Sequence, residues 1–232
     1  MNHENPQRRT VAATLLVVAG ILFALFPLTR PFAPGGGADT LEQFGSIWWT
    51  VAHLAGAAAF ILTAFAFAEL RIAPLATAAI GVGSALTLLY FGAETFALHE
   101  LTAVDGDTAL ELAELIRTGT AAMIAFGVGL LLVAVGVIVV LVSAVRRRWT
   151  PVLPAGISAA GYLLYIPQFF VSPTVRIAHG VLMLIGCAWV AYELVKSERA
   201  PDVDAADAPD YVDAPDYVDV RDYSARSTIT GA

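Results

Sequence analysis

Residues Ile124 to Val142 read IAFGVGLLLVAVGVIVVLV, nineteen consecutive positions without a charge, an amide or a hydroxyl. Apolar and polar positions do not alternate, which excludes the strand of a membrane barrel. As a helix rising ~1.5 Å per residue the stretch is about 28 Å long, close to the roughly 30 Å of bilayer hydrocarbon. In lipid the backbone must satisfy its own hydrogen bonds, so a helix is the structure left. The run decides the fold class: an all-α bundle in a membrane.

With its flanks, the segment covers Gly119 to Val145, and five other runs match its character: Val11 to Leu28, Ser46 to Leu70, Leu75 to Leu98, Pro151 to Phe170 and Thr174 to Val195. The expectation is a six-helix transmembrane domain over residues 1–196, a polytopic integral membrane bundle. The first run has the charged start of an export signal in QRRT. It is longer than the usual apolar core of roughly 7 to 15 residues, so it is read as a retained anchor.

Composition agrees. Hydrophobic residues make up 58% of the chain and charged residues 14%, against an apolar share of roughly 45 to 50% in soluble domains. The net charge of −7 comes mostly from the end of the chain. From Ser197 onward there are nine acidic and three basic residues, leaving eleven acidic and ten basic in the first 196. No basic face for nucleic acid exists. A single cysteine, Cys187, excludes an intrachain disulfide.

Lys and Arg set the orientation. Arg8, Arg9, Arg71, Arg146 to Arg148, Lys196 and Arg199 fall on one side, Arg30, Arg117 and Arg176 on the other. The expected placement is the inner membrane of a prokaryote, multi-pass, with both termini cytoplasmic and two long outer loops, 29–45 and 99–118. The second loop contains DGDTALELAELIR, expected to form an interfacial helix with Asp107 as its N-cap. Residues 197–232 repeat APDYVD at 208–213 and 214–219. So few large aliphatic residues cannot offset ordering entropy, so a disordered acidic cytoplasmic tail is expected, a docking segment for a protein partner besides the lipid bilayer itself.

A second similarity joins the hairpin of spans one and two to that of spans five and six. AGILFALFPL at 19–28 pairs with AGYLLYIPQF at 160–169, Ala-His recurs at His53 and His179, and Glu-Leu closes both second helices at Glu69 and Glu193. Such parallel repeats place sites at their interface. Depth points the same way: His53, Glu94 and His179 each lie roughly 6 to 8 Å below the outer headgroups by helical rise, with His99 just above.

Ionisable groups in hydrocarbon are costly and take a partner. Three functions suit this layer. Two histidines on separate helices are an arrangement for haem b, with Arg117 and Arg176 as rim partners for propionates. His53, His179 and either Glu94 or His99 equally form a ligand set for zinc with an open position, and the protein then works in electron transfer or metal-dependent membrane chemistry. A small proton-coupled transporter is the second reading, and a scaffold without cofactor, its His/Glu layer acting as a helix clasp, is the third. Elsewhere, GVGSA at 81–85 lets helices pack closely, Tyr90 is placed to donate to Glu94, Trp48, Trp49 and Trp149 read as interface anchors, and Pro27 and Pro167 end or kink their helices.

Overall fold

The computed structural model describes residues 6–33 and 36–199, with the backbone alone at 169, 170, 198 and 199. Every regular element among the described residues is helical. The helices are α1 (Pro6–Thr29), α2 (Ala38–Gly45), α3 (Ile47–Leu70), α4 (Pro74–Ala103), α5 (Gly106–Thr118), α6 (Thr120–Arg146), α7 (Val152–Leu164) and α8 (Pro173–Arg199). Helix α4 is not uniform: its first α-helical part ends at Gly92, a π turn follows at Ala93–Ala97, and an α turn at Leu98–Glu100 and a 3-10 turn at Leu101–Ala103 complete it.

Five of these, α1, α3, α4, α6 and α8, are long and apolar enough to cross a membrane. The protein is an α-helical membrane protein. The segment expected at 151–170 differs: α7 holds 13 residues, about 20 Å of helix, and gives way to a 3-10 turn at Pro167–Phe170. Proline removes a backbone donor and fixes φ, so the α-helix stops before Pro167. The segment nonetheless carries the chain from Trp149, which stacks under Arg9, to Ile166 at the opposite end. Pro27 acts as expected too, since α1 ends two residues after it.

Helix α1 packs on α3 and α8, α4 on α6, and α7 on α8. The closest approach is between α4 and α6, where a Cβ on Gly83 would stand 2.5 Å from the Gly129 carbonyl oxygen. Only hydrogen fits there, which is the packing role expected of GVGSA. Aromatic edges fill the centre: Phe23 meets Phe60 at 5.1 Å and Phe60 meets Tyr165 at 5.0 Å between centroids. Large apolar residues such as Phe65, Leu75 and Leu89 point outward, at no cost against lipid tails that are equally apolar.

Arg8 Nη1 lies 3.0 Å from Glu69 and Arg9 Nη1 donates to Ser197 at 3.2 Å. The start of α1 and the ends of α3 and α8 therefore share one end of the bundle, the arginine end, where Arg146 closes α6 and Arg147 and Arg148 follow it. Arg71 and Arg148 adopt left-handed backbone after α3 and α6, φ 52° and 59°. At the opposite, long-loop end, α2 and α5 cover the spans through a second apolar cluster of Phe44, Trp49, Leu98, Leu101, Ala109 and Ala113. Helix α5 forms in the segment where a helix was expected, but Asp105 precedes it and Asp107 lies in its first turn. The acidic tail lies outside the described residues beyond 199, and residues 197–199 belong to α8.

Candidate functional site

Four local features bring charged groups together under the α2–α5 cover. Ser46 starts α3 by accepting the Trp48 backbone N–H at 3.2 Å, which places Trp49 and His53 one turn apart on the inward face. The π turn in α4 sends the Leu98 N–H back to the Ala93 carbonyl, five residues away, and so re-aims Glu94 relative to an α-helical register. The last turn of α5 brings Arg117 against that position. Arg30 follows the last residue of α1 and folds inward.

Glu94 is the hub. Its Oε1 accepts from Arg117 Nε at 2.9 Å, and its Oε2 faces His53 Nε2 at 3.4 Å. Its backbone carbonyl accepts from Trp49 Nε1 at 2.6 Å. His53 Nδ1 lies 2.7 Å from the Trp49 carbonyl oxygen. A carbonyl only accepts, so Nδ1 carries hydrogen and Nε2 is the nitrogen turned to Glu94. His53 and the Glu94 side chain are 3% and 6% exposed, a burial that makes each unpaired lone pair costly.

These groups line a cavity of ≈ 270 Å³. Its polar wall is Arg30, His53, Tyr90, Glu94, Glu114, Arg117 and Arg176; its apolar wall is Phe26, Phe91, Met123, Phe126, Leu130 and Ile166. Tyr90 stacks on Phe126 at 4.3 Å and donates to the Arg117 carbonyl at 3.1 Å. Arg30 lies over the Trp49 ring at 4.6 Å, and its Nε is buried with no hydrogen-bond partner. Burial lowers the Arg30 pKa to about 10, with Glu94 pulling the other way, so it stays charged at neutral pH. Burial also disfavours charge on Arg117, but the adjacent Glu94 carboxylate outweighs it and raises that pKa. Three guanidiniums against two carboxylates leave one positive charge in the lining when His53 is neutral.

The expected layer is therefore divided. His53 and Glu94 meet, and Arg117 and Arg176 line the same cavity, Arg117 as an ion-pair partner. His179 does not line it: its Nε2 donates to the Gly161 carbonyl of α7 at 2.8 Å, and its ring sits 5.3 Å from Tyr165. His99 turns to α2, with Nδ1 3.1 Å from the Phe44 carbonyl oxygen. Among the described residues no three His, Cys, Asp or Glu side chains gather where one metal ion would reach them. The pair of histidines expected for haem b or zinc thus faces different neighbours. Within the two similar hairpins the histidines are held differently: His53 bonds within its own helix and His179 bonds across to the preceding one.

Two residues of the site escaped the sequence reading. Arg30 counted there only as an outer-loop charge, and Trp49 as an interface anchor. Trp49 is instead fully buried, and Trp149 is buried between Arg9 at 4.1 Å and Arg147 at 5.5 Å. Trp48, by contrast, is exposed as an anchor would be. A usable signal existed for Trp49: it precedes His53 by four residues, one helical turn, so any inward His53 brings Trp49 with it. Comparison with known protein families, curated proteins and solved structures returned no match.

Proposed function

We propose that this membrane protein is a binding protein for a small amphiphile, whose anionic group enters the charged cavity at the long-loop end while its apolar part lies among the aromatic residues below. The observation that carries it is the buried Arg30 Nε, a charged donor without an acceptor in a cavity of net positive lining. An orphaned buried donor is costly, and an incoming oxyanion satisfies it.

The cavity has the polarity gradient such a ligand needs. Arg30, Glu114, Arg117 and Arg176 cluster at its top, whereas Leu130 lies ten residues into α6, about 15 Å lower along that helix. Its exposed lining residues, Glu114, Thr118 and Met123, mark an opening where polar surface meets apolar surface.

A scaffold reading rests on a different observation: Trp49, His53, Glu94 and Arg117 already join α3, α4 and α5. Dodecyl phosphate, titrated into protein purified in an uncharged detergent, separates the two. Binding of it should raise Tm in the wild type by mass action, and Arg30→Gln should weaken its apparent affinity at least tenfold. Equal response in both proteins would leave the clasp alone.

A further inference from the structure

The cavity orphans two buried polar atoms of opposite kind, and their pairing specifies the head of the ligand. Arg30 Nε is a donor without an acceptor, and Glu94 Oε2 is an acceptor without a hydrogen bond. The Glu94 side chain is 6% exposed, so water reaches it poorly. His53 Nδ1 is engaged by the Trp49 carbonyl at 2.7 Å. Its Nε2 stands 3.4 Å from Glu94 Oε2, well beyond the roughly 2.7–2.9 Å of a charge-assisted hydrogen bond, and leaves that oxygen without one. A donor presented from the cavity side satisfies it.

We infer that the ligand head combines one negative charge with an adjacent uncharged hydrogen-bond donor, a hydroxyl in the simplest case, as in a monoanionic phosphodiester bearing an alcohol. The inference rests on the amphiphile reading above and adds the head chemistry to it. Charge sets the first half: three guanidiniums, Arg30, Arg117 and Arg176, face two carboxylates, Glu94 and Glu114, in the lining, an excess that an anion offsets and a zwitterion leaves standing. Geometry sets the second half, since Glu94 Oε1 is held by Arg117 at 2.9 Å and Oε2 alone remains to receive the hydroxyl. The anion lies toward Arg30 and Arg176. The tail follows Phe126 toward Leu130.

The test uses the full chain in neutral detergent and three phospholipids with identical acyl chains. Phosphatidylglycerol carries the monoanion and hydroxyls, phosphatidylmethanol the monoanion without a hydroxyl, and phosphatidylcholine neither net charge nor donor. A hydrogen bond to a charged acceptor changes affinity by roughly ten- to a hundredfold. Phosphatidylglycerol should therefore bind at least tenfold more tightly than phosphatidylmethanol, and phosphatidylmethanol more tightly than phosphatidylcholine. Glu94→Gln should narrow the first gap, and Arg30→Gln the second.

Equal binding of phosphatidylglycerol and phosphatidylmethanol, both above phosphatidylcholine, would overturn the hydroxyl and leave the anion reading intact. Equal binding of all three, or of none, would overturn both. Soluble glycerophosphoglycerol, the same head without chains, should fail to compete. Competition by it at equal concentration would make the free head the ligand and remove the amphiphile.

Discussion

Arg117 Nε lies 2.9 Å from Glu94 Oε1, so a helix outside the spans neutralises a carboxylate inside one. The contact explains how α4 tolerates a buried acid, and it makes α5 part of the site as well as its cover.

Replacing Arg117 by Ala removes the partner and leaves Glu94 buried. Loss of one partner from a fully buried pair costs about 3–5 kcal/mol. The Arg117 side chain is 35% exposed, so solvent screening reduces the expected loss to about 1–2 kcal/mol. Glu94→Gln in the Arg117→Ala background should recover part of it. A double-mutant cycle on thermal unfolding in detergent reads the coupling, and a coupling energy of zero would show that the ion pair is incidental.

Trp49→Phe keeps an aromatic ring beneath Arg30 but deletes the indole N–H that reaches the Glu94 carbonyl at 2.6 Å. The expected cost is about 1–2 kcal/mol, the range for a buried acceptor losing its donor. Amide hydrogen exchange should accelerate at residues 93–97 before it does in α6. Unchanged exchange there would mean that the π turn holds without Trp49.

Gly83 and Gly81 lie two residues apart on α4 and should respond oppositely to alanine. A Cβ at Gly83 would meet the backbone of Gly129 and Val133 at 2.5 and 2.8 Å, whereas nothing lies within 4 Å of one at Gly81. Gly83→Ala should destabilise by about 1–3 kcal/mol through overpacking. Gly81→Ala should be neutral or stabilise by up to about 1 kcal/mol. Unfolding midpoints of the two variants decide it, and similar values would remove the close α4–α6 contact.

Alkaline pH tests Arg30. Burial lowers its folded pKa to about 10 from 12.5, so the folded protein gives up this proton before the unfolded chain does. Between those values the unfolded state binds more protons, and Arg30's contribution to stability rises with pH. Binding of an anion to Arg30 moves the other way: it should be level from pH 7 to 9 and fall above about 10. Titration of dodecyl phosphate across that range measures it beside Arg30→Gln, and affinity that stays level to pH 11 and is unchanged by the substitution would place the anion elsewhere.

The long spans were legible because lipid leaves the chain few options. Nineteen uncharged residues such as Ile124 to Val142 have one way to satisfy their backbone there, and no tertiary contact is needed to see it. That His53 and Glu94 share a level was legible too, since helical rise converts position into distance and the two side chains meet. Rotation about the helix axis was not. His53, Glu94 and His179 all lie on long apolar helices, yet a π turn in α4 and the packing of α7 against α8 aim His179 at Gly161 and Glu94 at Arg117. Arg30 and Trp49 joined the site through a chain reversal after α1 and a buried indole, neither of which leaves a periodic trace. The amino-acid sequence by itself determined the long apolar helices and singled out the ionisable groups carried on them. Which of those groups meet was decided only by tertiary packing, because azimuth depends on how each helix docks against its neighbours.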